Sequence, residues 1–527
     1  MTLACTSMKN PDAAGNWLRA HLAADAELSA DSRAIKAGDG FIAWPGLTTD
    51  GRRYIDQACA SGAAAILFDD SAAPVVSAPV PACGFTDLRD QAGAVSSAFY
   101  GHPSRHMTVF AVTGTNGKTS CAHWIAAGSA QDGQRSAALG TLGITHFGPS
   151  AGGDDAPVGS QTGADADSTS AEKLSPVLTT PDPVALQRTL AGLARNMTTT
   201  VAFEASSIGL AQKRLQATNV DVAVFTNLSR DHLDYHADMA DYLRAKRGLF
   251  EMDGLEAVVV NADDPASSSM LAGVTRGVSR FACGFNPPES ALAIDCMVQI
   301  VDLNHGKDGM QLHLGGDAGR ASVYLSVPGR FNALNAATVC TAWLASGVPF
   351  EQAVARLAGL RPIAGRMQTI YRAQKPLVVV DYAHTPDALQ SVLQALRSMA
   401  DSRQGKLWVV FGCGGDRDPG KRPLMGQVAA GFADHVVLTS DNPRSEDPGQ
   451  ILDQVATGLP ADCGGRAERI VDRRSAIEAA VAQASINDVI VVAGKGHEAY
   501  QEINGQRFAF SDWAVCNWAL DKRKSGQ

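Results

Sequence analysis

A glycine-rich turn with a lysine and a threonine is the part of this chain whose residue types most clearly predict chemistry. The turn, TGTNGKT at Thr113–Thr119, follows the apolar run Val109–Val112, and a helix is predicted to begin near Lys118. Glycines let backbone N–H groups curl around phosphate oxygens, and the helix N-terminus adds the positive end of its dipole. Lys118 could reach the β- and γ-phosphates of a nucleotide, and the hydroxyl of Thr119 could ligate Mg²⁺. We therefore predict that the turn binds a nucleotide.

The turn departs in one position from the usual G-x-x-x-x-G-K-[ST] spacing. Val112 stands where that spacing has its first glycine. Because Val112 belongs to the predicted strand and precedes the tight turn, we expect this departure to matter little. The competing interpretation is a purely structural glycine turn between a strand and a helix.

Two side chains with metal-binding chemistry also follow predicted strands. Glu204 ends the apolar run TTVAFE, and His232 lies in SRDHLDYH, just after another apolar run. Either residue alone could equally be structural, but beside a phosphate-binding turn the two together predict a second Mg²⁺ site. Lys246, in YLRAKRGLF, has the sequence context of one basic residue on a solvated helix.

A second group of charged residues lies in the last third of the chain, beside closely spaced glycines. An arginine and a glutamate at neighbouring strand ends can bind a zwitterion, because the guanidinium pairs with a carboxylate and the glutamate with an ammonium. Glycines beside them indicate a close approach of the backbone to a ligand. The alternative is ordinary surface charge. The charged residues are Arg417, Lys421, Arg422, Arg444, Asp381, His384, His497 and Glu498, and the glycines are Gly412, Gly414, Gly415, Gly494 and Gly496.

The apolar runs of the chain predict the scaffold that positions these residues. Short β-branched runs alternate with helical stretches, which is typical of a mainly parallel sheet with helices on both faces. Ligands of such sheets bind at the carboxyl ends of the strands, where the polar clusters lie. The stretches that contain these runs are Val109–Val112, Thr199–Ser207, Val220–His236 and Leu255–Pro265, followed by a second series at Leu377–Leu389, Leu407–Pro423, His435–Asp447 and Val489–Glu498.

The length of the chain and the two series predict three α/β domains, with boundaries near residues 105 and 362. Residues 1–105 would form a smaller N-terminal domain, in which a helix ends at Gly62 before a buried strand at Ile66–Phe68. Residues 106–362 would form a central domain of the phosphate-loop type. Residues 363–527 would form a C-terminal Rossmann-like domain.

The composition of the 527-residue chain excludes some classes of function. A net charge of −9 argues against a nucleic-acid-binding protein, because such domains are typically basic. The ten cysteines show no metal-ligand spacing, the start of the chain lacks a signal-peptide pattern, and no apolar run is long enough for a membrane span. We therefore expect a cytoplasmic protein, and a monomer. The segment 148–175 is poor in large apolar residues, so we expect a mobile surface insertion, with a substrate lid as the alternative.

Taken together, the motifs resemble those of the Mur ligase family, which also includes folylpolyglutamate synthetases. They follow the family's order over nearly the whole chain: TGTNGKT, EASS, NLSRDHLDYH, GRFNALNAATV, GRMQ and DYAHTPDAL. Position 208 departs from the pattern, since Ile208 stands where the family usually has histidine. The stretches DSR, DGRRYI, GCGGDRDPGKRP, DNPR and GKGHE are similar to those of members that add meso-diaminopimelate to UDP-N-acetylmuramoyl-L-alanyl-D-glutamate.

The resemblance implies a role for each matching residue. ATP would contact Gly114, Thr115, Asn116, Gly117, Lys118, Thr119, Ser120, Asn332, Asn335, Arg366 and Asp381. The UDP-muramoyl-dipeptide would contact Ser32, Thr179, Thr180, Ser206, Gln212 and Arg214, and diaminopimelate would contact Arg417, Asp441, Asn442, Pro443, Arg444, Gly494 and Glu498. Lys246 would react with CO₂ to become an anionic carbamate. The metal ligands would be Thr119, Glu204, His232 and the Lys246 carbamate, and the catalytic residues Lys118, Glu204, His232 and Lys246.

The reaction implied by the resemblance is ATP-driven amide formation through an acyl phosphate, which the amine of diaminopimelate attacks. Diaminopimelate has a second carboxylate that lysine lacks. Arg444 would pair with that carboxylate, so we expect diaminopimelate to be preferred over lysine. One rival is another amide ligase, such as the D-alanyl-D-alanine-adding or folyl-γ-glutamate enzyme, against which the DNPR stretch argues. The other rival is a nucleotide-binding regulatory switch without ligase chemistry, which would have no use for Lys246.

Overall fold

Three main sheets, of four, ten and six strands, follow one another along the chain, and each has helices packed against it. The computed structural model describes residues 7–46, 49–71, 78–149, 178–288, 292–305 and 309–523. The predicted insertion at 148–175 therefore lies almost entirely outside the described residues. The predicted fold class, α/β with mainly parallel sheets, is confirmed. Within the described part of the chain, no helix is long and apolar enough to cross a bilayer.

The first sheet is small and wholly parallel. Its strands are β1 Leu28–Ser29, β2 Gly40–Ala43, β3 Ala65–Asp69 and β4 Ala82–Phe85, and its helices are α1 Pro11–His21, α2 Ile55–Ala60 and α3 Leu88–Phe99, with 3₁₀ helices at Gly51–Tyr54 and Pro103–His106. The strands lie in the order β1-β2-β3-β4. Gly62 has a φ of +101°, which favours glycine, and it separates α2 from β3 as predicted.

Ten strands form the central sheet, and most of them are parallel. They are β5 Thr108–Thr113, β6 Ser136–Gly140, β7 Gly143–Phe147, β8 Thr200–Glu204, β9 Val222–Phe225, β10 Ala257–Asn261, β11 Ser279–Gly284, β12 Cys296–His305, β13 Met310–Gly316 and β14 Ala321–Leu325. The parallel part has the order β12-β11-β10-β9-β5-β8-β6. The apolar runs predicted for this domain are confirmed as strands β5, β8, β9 and β10.

Helices cover both faces of the central sheet, as predicted. They are α4 Lys118–Ala130, α5 Pro183–Arg195, α6 Ser207–Ala211, α7 Met239–Arg247, α8 Ser267–Leu271, α9 Arg330–Ala345 and α10 Phe350–Ala358. Side chains of α4, α9 and α10 belong to the core on one face, and those of α5 and α8 to the core on the other. Because both faces are buried, the central strands are continuous apolar runs rather than alternating ones.

The sequence did not reveal the antiparallel extension of this sheet. Strands β12, β13 and β14 pair antiparallel at one edge, and β6 pairs with β7 at the other. In β13 only alternate residues, Met310, Leu312 and Leu314, point into the core, while His313 lies between them. Such half-buried strands are short in apolar residues, so no continuous run marks them.

The third sheet has six strands, and only its first strand is antiparallel. The strands are β15 Gln368–Ile370, β16 Leu377–Asp381, β17 Leu407–Phe411, β18 His435–Leu438, β19 Ala467–Arg469 and β20 Val489–Ala493, in the order β15-β16-β20-β17-β18-β19. Helices α11 Pro386–Ser402, α12 Lys421–Phe432 and α13 Pro448–Ala456 pack on one face, and α14 Arg473–Gln483 and α15 Asp512–Lys522 on the other. A hairpin, β21 Tyr500–Ile503 and β22 Gln506–Ala509, follows β20.

Candidate active site

The glycine turn after β5 has the backbone that phosphate binding requires. Gly114 and Gly117 have φ values of +147° and +85°. A Cβ atom on Gly114 would lie 1.9 Å from Oγ1 of Thr226, and one on Gly117 would lie 2.6 Å from Oδ1 of Asn335. Gly117 occupies the N-cap position of α4 and has no side chain to fill it. The N-terminus of α4, at Gly117–Ser120, lines a cavity, which suits an anion.

Lys118 folds back over this turn. Its Nζ donates to the carbonyl oxygens of Gly114 and Thr115, each at 2.8 Å. Burial lowers the pKa of the ammonium, and nearby Glu204 and Asp231 oppose that effect only in part. Among the described residues, no carboxylate lies within salt-bridge distance of Lys118. Its ammonium is thus available to form an ion pair with a phosphate.

Lys246 is buried rather than solvated, so the interpretation from its local sequence alone is wrong. Only 1% of the residue is exposed, and Nζ donates to the carbonyl oxygen of Gly114 at 2.7 Å. Nζ also lies 4.3 Å from the ring centroid of Tyr242. Burial, and then the neighbouring charge of Lys118, lower the pKa of Lys246 well below its ordinary value. The other faces of helix α7 carry polar residues, so the sequence YLRAKRGLF alone did not indicate that Lys246 is buried.

Glu204, the last residue of β8, places a carboxylate at the edge of the same cavity. The carboxylate accepts hydrogen bonds from the backbone N–H of Thr141 at 2.8 Å and from its hydroxyl at 3.2 Å. The Cβ of a side chain on Gly140 would lie 2.1 Å from Oε1 of Glu204, so the strand β6 must end in glycine here. Sequence reasoning missed Thr141, although its position at the end of β6 is the signal that could have found it.

His232 follows β9 in a strained conformation, with a φ of +54°. Its Nε2 lies 3.6 Å from Oδ2 of Asp231, yet burial is the larger effect and lowers the pKa of His232 to about 4. The ring is therefore neutral at physiological pH and has a lone pair that can bind a metal ion.

These donors fit Mg²⁺ only together with phosphate. Mg²⁺ prefers oxygen ligands and commonly binds through one or two carboxylates plus substrate phosphates. Glu204 and the hydroxyl of Thr119, which now accepts from Arg366 at 3.0 Å, supply such oxygens. The described residues contain no cluster of three His, Cys, Asp or Glu side chains arranged to hold a metal. The protein groups alone are thus too few, and a nucleotide would complete the site.

A cavity of about 610 Å³ joins most of the predicted nucleotide and dipeptide residues. Glu204 and His232 face the phosphate turn within it, and Arg366 and Asp381 enter from the third sheet. Ile208, where the family usually has histidine, also lines it. The predicted residues in its wall are Thr115, Asn116, Gly117, Lys118, Thr119, Ser120, Thr179, Glu204, Ser206, Arg214, His232, Asn332, Asn335, Arg366, Asp381 and Arg417.

Four predicted residues, Gly114, Thr180, Gln212 and Lys246, lie just behind this wall, and Ser32 lies elsewhere. Thr180 donates to the backbone carbonyl oxygen of Glu204 at 2.8 Å, and Gln212 accepts from the guanidinium of Arg214 at 2.7 Å. Lys246 does not line the cavity; its Nζ contacts the carbonyl oxygen of Gly114 in the phosphate turn. Ser32 belongs to the first sheet region, where its hydroxyl donates to Gln57 at 3.2 Å.

Residues from the third sheet reach across the cavity to the loop that carries His232. Arg417 pairs with Asp234 at 3.2 Å, and Arg230 pairs with Asp418 at 3.0 Å. Asp231 lies 3.6 Å from Nε2 of His384. Burial opposes the charge of Asp231, but its hydrogen bond to His384 and the nearby positive groups hold the pKa of its carboxyl well below the usual range. Sequence reasoning missed Asp231 and Asp234, because their partners lie far along the chain.

The other residues predicted for diaminopimelate form a separate cluster at the carboxyl ends of β18 and β20. Asn442 donates to Oε2 of Glu498 at 2.8 Å. Arg444, with a φ of +51°, donates from its side chain to the carbonyl oxygen of Gly415 at 2.6 Å. A Cβ atom on Gly494 would lie 2.5 Å from Oδ2 of Asp441, which explains the glycine. Pro443 lies between Asn442 and Arg444, and of the predicted set only Arg417 lines the large cavity.

Two of the charged residues singled out by sequence have structural partners. Arg422 is 1% exposed and its guanidinium binds Glu446 at 2.8 Å, so it is neither surface charge nor available to a ligand. Nδ1 of His384 hydrogen-bonds the carbonyl oxygen of Tyr382 at 2.9 Å, which directs Nε2 toward Asp231.

Family models match three parts of the chain. Residues 26–100 match the model described as Mur ligase family, catalytic domain. Residues 112–343 match the Mur ligase middle domain, and residues 365–496 match the model described as Mur ligase, glutamate ligase domain.

Full-length relatives and solved structures agree with these matches. Proteins of Ralstonia nicotianae and Acidovorax sp., both named UDP-N-acetylmuramoyl-L-alanyl-D-glutamate--2,6-diaminopimelate ligase, are each 43% identical to this chain; the first alignment covers 99% of both chains and the second 96%. A solved structure of an enzyme with the same name is 34% identical, covers 99% of both chains and has a TM-score of 0.61. MurF from Acinetobacter baumannii, at 16% identity and a TM-score of 0.64 over 94% of this chain and 93% of its own, shares the fold.

Proposed function

This chain belongs to the Mur ligase family, and from that premise we propose that it joins meso-diaminopimelate to UDP-N-acetylmuramoyl-L-alanyl-D-glutamate at the expense of ATP. The reaction belongs to cytoplasmic peptidoglycan precursor synthesis. The observation that carries the proposal is the partly buried Lys118 ammonium, which has no carboxylate partner among the described residues and lines a cavity shared with Glu204 and Arg417.

We propose a division of labour among three domains. Residues 1–105 bind the uridine end of the nucleotide sugar, with Ser32 as one contact. Residues 106–362 bind ATP and the dipeptide, and residues 363–527 bind the amino acid. The separate sheets of the three regions support this division.

In the first step, a carboxylate oxygen of the D-glutamyl residue attacks the γ-phosphorus of ATP, and the bond to the ADP oxygen breaks. Lys118 and the N–H groups at the start of α4 stabilise the charge that moves onto the phosphate oxygens. Thr119, Glu204 and His232 would hold Mg²⁺, which would further neutralise phosphate charge when bound. Thr141 orients the carboxylate of Glu204 for metal binding through a hydrogen bond from its backbone N–H.

Lys246 is suited to carbamate formation by its surroundings. Burial and Lys118 lower its pKa, which favours the neutral amine, and only the neutral amine has the lone pair that attacks CO₂. A nitrogen–carbon bond forms and the nitrogen loses a proton. The product is an anion beside the ammonium of Lys118, which shares the carbonyl oxygen of Gly114 with Lys246 and would attract the carbamate.

In the second step, the amine of diaminopimelate attacks the acyl phosphate and inorganic phosphate leaves. Glu498 binds an ammonium of the amino acid, and Arg444 binds its distal carboxylate. Arg417 lies in the cavity itself, so it is placed between the amino-acid cluster and the phosphate turn. The ion pairs across the cavity, such as Arg230 with Asp418, hold the two sides together while water is excluded.

A co-substrate panel tests this function. Phosphate release would be measured with ATP and Mg²⁺ in the presence of the UDP-dipeptide, of diaminopimelate, of both, and of both with lysine in place of diaminopimelate. We expect release only when the dipeptide and diaminopimelate are both present, together with a tripeptide product detected by mass spectrometry. Phosphate release that depends on neither the UDP-dipeptide nor diaminopimelate would favour the regulatory switch. Equal turnover with lysine in place of diaminopimelate would contradict the role of Arg444.

A further inference from the structure

Another buried lysine lies under the predicted amino-acid cluster, and the proposed reaction does not use it. Lys495 follows β20 and has no exposed surface. Its Nζ donates to Oε2 of Glu498 at 2.7 Å and to Oδ1 of Asn442 at 3.0 Å. The ring of Tyr500, in the hairpin, lies 5.5 Å away and covers it.

These contacts leave one oxygen of Glu498 available to a ligand. Oε2 accepts hydrogen bonds from Lys495 and from the side-chain amide of Asn442, while no described residue donates to Oε1. The carboxylate is therefore fixed in one orientation by two donors, one of them charged. Charge-assisted hydrogen bonds of this kind are the stronger class in proteins.

The same lysine also holds the strand end that leads to Arg444. Oδ1 of Asn442 accepts from Lys495 and from the backbone N–H of Glu502 at 2.9 Å. The carbonyl oxygen of Glu502 in turn accepts from the backbone N–H of Arg444 at 3.0 Å. Lys495 thus connects the residue predicted to bind the ammonium with the residue predicted to bind the distal carboxylate.

Charge compensation explains why the pair must act as a unit. A buried ammonium without a counter-ion is strongly unfavourable, and removing one partner of a buried ion pair is far more harmful than removing both. Glu498 therefore neutralises the charge of Lys495, and 17% of its side chain remains exposed.

We propose that Lys495 is a positioning residue of the amino-acid site, which presents Oε1 of Glu498 to the ammonium of the incoming amino acid. This inference rests on the proposed function. Lys495 touches no substrate; it acts through Glu498 and Asn442. Its effect is therefore confined to binding of the amino acid and does not extend to the nucleotide, whose cavity it does not line.

The test is a double-mutant cycle of Lys495→Met and Glu498→Gln, with the exposed Lys406→Met as the matched control. Steady-state KM values for diaminopimelate and for ATP, kcat and the thermal midpoint would be measured for each protein. We expect Lys495→Met to raise the KM for diaminopimelate by about tenfold or more, with kcat at saturation and the KM for ATP changed by less than about threefold. In the Glu498→Gln background, Lys495→Met should change the KM for diaminopimelate by less than about twofold.

The outcomes separate the inference from the function on which it rests. If the wild-type enzyme turns over diaminopimelate but Lys495→Met leaves its KM unchanged, or if the two substitutions act independently, the inference is wrong and the function stands. A KM for ATP that rises as much as the KM for diaminopimelate would show a general structural defect and would also overturn it. If the wild-type protein uses no amino acid, both proposals fail. Should Lys495→Met not fold, Lys495→Gln, which keeps an N–H donor but loses the charge, would replace it. Its KM for diaminopimelate should lie above that of the wild-type enzyme but rise less than tenfold, and an unchanged KM would contradict the inference.

Discussion

The lysines under the phosphate turn and the lysine under the amino-acid cluster differ in how their charge is compensated. Under the phosphate turn, Lys118 and Lys246 donate only to backbone carbonyl oxygens, and burial lowers the pKa of each. Under the amino-acid cluster, Lys495 has a carboxylate partner in Glu498 at 2.7 Å.

The difference indicates which lysines take part in chemistry. An ammonium without a carboxylate partner is stabilised by an anion that arrives, such as a triphosphate, and a neutral buried amine can react with CO₂. An ammonium that already has its counter-ion orients that counter-ion for a ligand instead. We therefore expect substitutions of the two kinds of lysine to have opposite effects on stability and different effects on catalysis.

The largest effect is expected for Lys118→Met. It should lower kcat by about 10³-fold, because it removes the positive charge nearest the transferred phosphate. The thermal midpoint should not fall, since no described carboxylate loses a partner. A variant that retains a tenth of the wild-type kcat would contradict the role of Lys118. It would also contradict the distinction between lysines with and without a carboxylate partner.

Lys246→Ala should have the next largest effect, a loss of kcat of about 10²-fold. Formate or acetate, added as a stand-in for the carbamate, should restore part of the activity. Activity would be assayed by phosphate release, with circular dichroism as the control for folding. A folded variant that neither small carboxylate rescues would count against the carbamate.

Arg444→Met should change the choice of amino acid rather than the chemistry. We expect the preference for diaminopimelate over lysine, as a ratio of kcat/KM values, to fall by about 10- to 100-fold, because the distal carboxylate loses its charged partner. The KM for ATP is the internal control. An unchanged ratio would show that another group recognises the second carboxylate.

Thermal midpoints test whether Lys246, without a carboxylate partner, and Lys495, with one, contribute differently to stability. Compared with wild-type protein prepared without CO₂, in which Lys246 is a free amine, Lys246→Met should raise the thermal midpoint by about 2 °C. It removes a buried amine that has no carboxylate partner, while the carbonyl oxygen of Gly114 keeps its bond from Lys118. Lys495→Met should lower the midpoint by at least as much, because it leaves the carboxylate of Glu498 without its counter-ion. The exposed Lys36→Met is the control, and shifts of the same sign in both variants would refute the distinction.

The smallest effect is expected for Asp234→Asn, which breaks a partly exposed ion pair across the cavity. It should lower the KM for diaminopimelate by about two- to threefold, since Arg417 no longer has a competing carboxylate. Arg230→Gln, which breaks the neighbouring pair with Asp418 without touching Arg417, is the matched control. A KM that rises in Asp234→Asn would indicate that the pair orients Arg417 instead.

The sequence predicted those parts of the fold that depend on local pattern. Strands buried on both faces, such as β5 and β20, are continuous apolar runs, and the phosphate turn has fixed spacing. Strands β12 to β14 were not predicted, because one of their faces is exposed and their apolar residues merely alternate.

The sequence suggested candidate site residues one by one but not their contacts. Residue type and position after an apolar run singled out Glu204 and His232, whereas the bond from Thr141 to Glu204 depends on how β6 lies beside β8. The burial of Lys246 depends on the packing of Tyr242 under the turn, which α7 alone does not specify. The pairs across the cavity join residues more than 150 positions apart, so no local pattern could show them.

A structure with a non-hydrolysable ATP analogue and Mg²⁺ would show whether Lys118 is the phosphate-binding lysine. We expect Nζ of Lys118 to leave the carbonyl oxygens of Gly114 and Thr115 and to bind oxygens of the β- and γ-phosphates, while Lys495 keeps its bond to Glu498. A triphosphate bound away from the turn, or a Lys118 that keeps both carbonyl contacts with the analogue in place, would contradict it.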